Sequence, residues 1–393
     1  MTRRRRRRRG SPPALPPPIE DDDLLREVLL RIPPQPSSLP RASAVCKRWR
    51  CAAVDPKFTA HFRAHHGKPP LLGFFQRRDD DIVFAPVLAA PDRVPPERFD
   101  LRIRVADSES EAHLLGCRHG RVLVFDVARA EVVVCDPITG EQRRVAVPPE
   151  FKTGHVNGAV LCADRGQGHV HGGCRSSPFK VVLVSMRSHD HRPLACIYSS
   201  EANTWGHLIP TQAPYPGSAC CGGAQSILVG NVLYWPLRHA KDGILQFDMD
   251  RQSVDVIETP PGMNVPRNHE IVEAEDGTLG LAILSHHYHN IQMWQRKVNC
   301  QGVATWVLWK TTEMHEILGL SPSTEVVRRG MELILGYDQD ANEMLLYLDG
   351  TVYIVQLKSM QSRKLWESQH VTACHSFNSF YTPGDCSSLV LIL

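Results

Sequence analysis

The side chains best suited to chemistry fall in two histidine-rich stretches. His169, His171 and Cys174 lie close together in GQGHVHGGCRSS, and His286, His287 and His289 in SHHYHN. Imidazole and thiolate are zinc ligands, but structural zinc sites take four of them, usually at firmer spacing than either stretch offers. The sequence reading is therefore loop histidines, with no metal site and no cofactor assigned. Catalytic patterns break off early. His315-Glu316 opens a zincin-like motif, but Gly319 stands where the second histidine belongs; after His269-Glu270 that place holds Glu273. Gly166 and Gly168 begin a dinucleotide fingerprint that ends in His171. There is no Walker A loop and no G-x-S-x-G elbow. No catalytic residue is assigned, and the chain reads as a non-enzyme.

Composition narrows the class. A chain of 393 residues with 42% hydrophobic residues has room for two domains. Its twelve cysteines include no C-x-x-C pair, and the arginine run leads into GSPPALPPP without an apolar signal core. The expectation is a reduced, intracellular protein of the nucleus or cytoplasm, with no membrane span. The net charge is +3, and the seven arginines Arg3–Arg9 exceed it, so the rest of the chain is slightly acidic. The folded part therefore does not read as a nucleic-acid binder. Residues 1–18, arginine- and proline-rich, are expected to form a disordered tail.

Two regions must position whatever the chain binds. In DDLLREVLLRIPPQPSSLPRASAVCKRWR the aspartates suit a helix N-terminus. Leu24, Leu25, Val28, Leu29 and Ile32 then recur at helical spacing, and Pro33-Pro34 stops the helix. Ser37 or Ser38 can cap a second helix carrying Ala42, Val45, Cys46 and Trp49, and Asp55-Pro56 can start a third with Phe58 and Phe62. About 45 residues hardly fill a core alone, so this unit should lean on a neighbour.

From residue 67 on, the periodicity is that of strands. Five units share one grammar: a nearly continuous apolar strand, a second strand, a polar turn and a third strand. They span 121–148, 180–210, 231–260, 277–310 and 343–367. The middle spacings match the repeat of a propeller blade, and continuous apolar runs suit strands buried on both faces. A β-propeller of six or seven blades is the first reading, and a large β-sandwich the alternative.

The helical segment, with DPKF and FRAHHGKPPLLGFF after it, resembles the F-box of plant F-box proteins, and the body resembles their kelch-like associated domain. The resemblance implies a three-helix F-box over 19–66 and a substrate-recognition propeller over 67–393. It also implies a role as substrate receptor of an SCF-type cullin-RING ubiquitin ligase. The F-box would bind a Skp-type adaptor and, through it, cullin; the propeller would bind a protein target. Leu24, Leu25, Val28, Leu29, Ile32, Val45, Cys46 and Trp49 would share core packing and adaptor contact. The family usually opens this helix with Leu-Pro, where the chain has Glu20 and Asp21.

Overall fold

The computed structural model describes residues 21–381 except 79–80, 102–111, 153–154, 165, 167–168, 187–191, 212–222, 238–242, 262, 264–267, 286–288, 321–331 and 370–371. The expected tail at 1–18 and residues 286–288 of the second histidine stretch lie outside the described residues.

Four helices open the fold: α1 (Asp22–Leu30), α2 (Ser38–Val45), α3 (Lys47–Val54) and α4 (Pro56–His66). Asp21 caps α1, its carboxylate accepting from the Asp23 N–H at 2.8 Å. Asp55 caps α4 by accepting from the Lys57 N–H at 3.1 Å. The expected three helices are four because Cys46 is extended (φ −163°, ψ 171°) and splits the second. The Cys46 carbonyl accepts from the Arg50 N–H at 3.0 Å and so starts α3. Neither Gly nor Pro marks the spot, so the sequence carried no stop signal there.

The helices pack Leu25, Leu29, Leu39, Ala53, Phe58 and Phe62 into one small cluster. Two guests complete it, Phe380 from the far end of the chain and Val170 at the margin. The unit leans on its neighbour, as its size requires.

The body forms six antiparallel sheets among the described residues. One joins the two ends of the body: β1 (Leu71–Arg78) lies between β2 (Asp81–Pro86) and β24 (Cys374–Asn378). The next two follow in chain order. One holds β3 (Ala112–Arg118), β4 (Arg121–Asp126), β5 (Glu131–Cys135) and β6 (Gln142–Ala146). The other holds β7 (His155–Cys162), β8 (Phe179–Met186), β9 (Pro193–Ser199) and β10 (Thr204–Trp205), with β11 (Ile209–Pro210) also on β9. The fourth is β12 (Ile227–Val229), β13 (Val232–Leu237), β14 (Gly243–Asp248) and β15 (Ser253–Glu258). The fifth is β16 (His269–Glu273), β17 (Leu279–Leu284), β18 (Asn290–Val298) and β19 (Ala304–Glu313). The last is β20 (Glu332–Asp338), β21 (Glu343–Leu348), β22 (Thr351–Gln356) and β23 (Gln361–Glu367).

First strands of neighbouring sheets touch: β24 meets β3, β3 meets β7, β12 meets β16, β16 meets β20, and β20 meets β24. This is a six-bladed propeller with β24 as an inner strand, and it replaces the sandwich alternative, whose two facing layers are absent from the described sheets. Burial follows position in the blade. Every residue of β4 and of β17 is buried, because each second strand lies between neighbouring blades. The outermost β6 alternates half-buried and exposed residues.

Candidate functional site

Two places on this scaffold gather the candidate residues. The first is the outer surface of the helical unit. Leu25 and Leu29 are fully buried in its core, and Ile32 and Trp49 pack at the core's edge. Leu24 and Val28, one helical turn apart on α1, are exposed at 47% and 49%. Val45 is exposed at 63%, and Cys46 is also exposed. Arg48 Nε donates to Asp22 Oδ1 at 2.7 Å, so the α2–α3 corner bearing Val45 and Cys46 is held beside the start of α1. The eight residues thus divide: four pack within the chain, and four present apolar or thiol surface outward. Val54, exposed at 42%, joins the outward set and was not singled out from the sequence.

The second place is the β7–β8 loop, where the propeller meets the helices. Cys162 ends β7, and the loop returns to it. His169 Nε2 lies 3.3 Å from Cys162 Sγ and 3.2 Å from Cys174 Sγ, and His171 Nδ1 lies 3.5 Å from Cys174 Sγ. The four donor atoms all fall within 4.8 Å of one another. Sequence reasoning found three of the four; Cys162 was missed because it closes an apolar strand.

Neighbouring groups fix this cluster. Asp164 Oδ2 faces His169 Nδ1 at 3.2 Å and accepts from Ser177 Oγ at 3.0 Å. The His119 ring stacks on His171 with centroids 3.7 Å apart. His119 Nδ1 accepts from the Cys162 N–H at 3.0 Å, and burial, then the nearby Arg118, holds His119 well below the ordinary imidazole range. A hydrogen bond with Cys174 draws the Cys162 thiol well below its usual range, and the same bond drives Cys174 upward. One sulfur is thereby favoured as thiolate.

The loop also clasps the helical unit. A Cβ on Gly172, at φ +91°, would meet the Pro69 ring at 2.6 Å, and one on Gly173 would meet Arg63 of α4 at 2.6 Å. The Gly172 carbonyl accepts from the Phe380 N–H and from Ser379 Oγ, each at 2.9 Å. Beside the loop, a polar bridge spans four blades. Arg118 donates to the Ser226 carbonyl at 2.7 Å and to Gln339 Oε1 at 3.2 Å, and Gln339 Nε2 donates to Glu273 Oε2 at 2.9 Å. Burial pulls Arg118 down to about 10, against the opposing charge of Asp340 and Asp338.

His315-Glu316 sits on α5 (Met314–Ile317), a single turn, and His269-Glu270 lies on the inner strand β16. No helix among the described residues is long and apolar enough to cross a membrane.

The geometry defines a four-helix unit joined to a six-bladed propeller, and comparison with known families gives the class. An F-box domain matches residues 21–61. The family described as F-box protein AT5G49610-like, beta-propeller matches residues 113–381, well over half the chain, and the chain belongs to that family. No curated protein matches it. Among solved structures, a chain of a nidogen/laminin complex aligns at 10% identity over 77% of this chain and 96% of its own, with a TM-score of 0.43. Apo AztD from Citrobacter koseri aligns at 10% identity over 79% and 90%, with a TM-score of 0.38. A calcium-binding regucalcin from Agrobacterium tumefaciens aligns at 12% identity over 66% and 76%, with a TM-score of 0.37.

Proposed function

We propose that this chain is the substrate-receptor subunit of an SCF-type cullin-RING ubiquitin ligase, a plant-type F-box protein with a kelch-like recognition propeller. The observation that carries the reading is the split of α1. One face holds the helical unit together through Leu25 and Leu29, and the other leaves Leu24 and Val28 in solvent, as Val45 and Cys46 are. A monomer gains nothing from an apolar row in water, whereas a partner's groove buries it at roughly 25 cal/mol per Å². F-box domains generally bind Skp-type adaptors. The adaptor, and cullin through it, would take this face, while the propeller holds a protein target. Holding the target's lysines near a charged conjugating enzyme raises their effective concentration, so the subunit works by positioning and does no chemistry itself. The reading places it in the nucleus or cytoplasm, with neither membrane nor nucleic acid as its ligand.

The test is adaptor capture by the full chain. Leu24→Asp with Val28→Asp should cut binding at least tenfold while the melting temperature stays within a few degrees, since both side chains are exposed. Leu29→Ala removes a buried side chain instead, and should cost about 2–5 kcal/mol of stability in the helical unit. Full adaptor binding by the double aspartate variant would discard this face. No binding by the unaltered chain, with a control F-box protein captured, would discard the ligase reading.

A further inference from the structure

We propose that Cys162, His169, His171 and Cys174 form a four-coordinate zinc site that pins the β7–β8 loop and so fixes how the helical unit sits on the propeller. Zn–S bonds near 2.3 Å and Zn–N bonds near 2.0–2.1 Å put the edges of a tetrahedral site at about 3.3–3.8 Å. The sulfur–nitrogen separations of 3.2, 3.3 and 3.5 Å already lie at or close to that range. Two thiols with two imidazoles select zinc over magnesium or calcium, which take oxygen ligands. The surroundings are those of a metal centre. Asp164 facing His169 Nδ1 reserves Nε2 for the metal and orients the ring, the carboxylate–histidine arrangement that accompanies zinc. The stacked His119 holds the plane of the His171 ring.

The site is placed to be structural. Val170, between the two histidines, packs against the helical core beside Phe380. Gly172 and Gly173, between His171 and Cys174, lie against Pro69 and Arg63. Arg121 donates to the carbonyls of Cys174 and Ser177, tying the far side of the loop to β4. Four protein ligands leave no open coordination position, which suits a strut and not a reaction centre. Among the described residues the loop makes few backbone hydrogen bonds of its own, so coordination would supply the rigidity that packing Val170 against another unit demands.

The experiment uses the full chain, purified under reducing conditions. Elemental analysis should find about one zinc per chain, and exchange for cobalt should give the ligand-field bands of a tetrahedral site together with a thiolate charge-transfer band. Cys162→Ser with Cys174→Ser should remove both signals, while Cys51→Ser with Cys300→Ser, at exposed positions outside the cluster, should keep them. Asp164→Ala should weaken zinc binding about 10–100-fold with the ligands intact, a measurement that does not depend on the cysteine variant folding. Three results would each overturn the proposal: no zinc and no cobalt thiolate band in the folded wild-type chain, full metal content in the double serine variant of the cluster, or a disulfide joining Cys162 to Cys174 in peptides from protein kept reduced throughout.

Discussion

The helical unit and the propeller complete their cores by opposite means. The helices cannot enclose enough apolar surface themselves and import Phe380, which is 1% exposed among them. The propeller imports nothing and closes on itself: β24, from the end of the chain, pairs with β1 from its beginning, setting Phe75 opposite His375. Both devices use one stretch of chain. Asn378 is the last residue of the closing strand, and two residues later Phe380 fills the helical core. The ring's core clusters draw on no residue of the four-helix unit, whereas the helical core is completed by Phe380 and Val170 of the body.

The strongest way to break this contrast is to remove the shared stretch. A chain ended after Glu367 lacks β24, leaving β1 with an unpaired edge and β20 and β3 without their neighbour. Loss of the cooperative melt for the whole molecule is expected, checked by calorimetry and gel filtration. A single sharp transition within a few degrees of the full chain would show that closure matters less than the pairing suggests.

Next in size is Phe380→Ala, which empties the import and leaves the closing strand in place. The expected cost is about 3–5 kcal/mol, felt in the helices. Hydrogen exchange should quicken across residues 22–66, while β4 and β17, buried along their whole length, stay protected. Equal loosening of both regions would mean that the two cores are one cooperative unit.

The sequence was most legible where periodicity and burial coincide. The five strand units read from the pattern are the second, third and outer strands of five blades, with outer hairpins such as those at 136–141, 249–252 and 357–360. Inner strands escaped notice: β12 has only three residues, and β3 and β7 begin in mixed sequence that gives no run. Closure by β24 was illegible because pairing partners hundreds of residues apart leave no local trace. On α1 the spacing gave the apolar residues but not their division, since Leu24 and Val28 form as good a stripe as Leu25 and Leu29. The packing of the other helices and Phe380 against α1 decides which pair is sealed. Of the Cys162, His169, His171 and Cys174 cluster, the sequence singled out three members but read them as loop residues, because the fourth is supplied only by the return of the loop to the end of β7.

The smallest effect expected is a pH response confined to the ring. Asp338 ends β20 and is 1% exposed. Burial raises its carboxyl to about 6, and the neighbouring Asp340 adds to the rise. Hydrogen bonds from Asn378 Nδ2 at 3.1 Å and the Ala341 N–H at 3.2 Å oppose it without cancelling it. The folded state therefore holds this proton more tightly than an unfolded chain, whose carboxyl stays near 3.8. From about pH 4 to pH 6 the native ring binds more protons, so this group's contribution to stability falls as pH rises through that window and is flat above it. A carboxyl raised this far can cost the ring at most about 3 kcal/mol at neutral pH. Asp338→Asn keeps the accepting oxygen and removes the charge, and should flatten that part of the profile, raising the ring's melting temperature at pH 7 relative to its value at pH 4. Because Asn378 lies on the closing strand, the change should appear in the ring's transition and leave adaptor capture by the helical unit unaltered. An unchanged pH profile would place the carboxylate in better solvated surroundings than its burial implies.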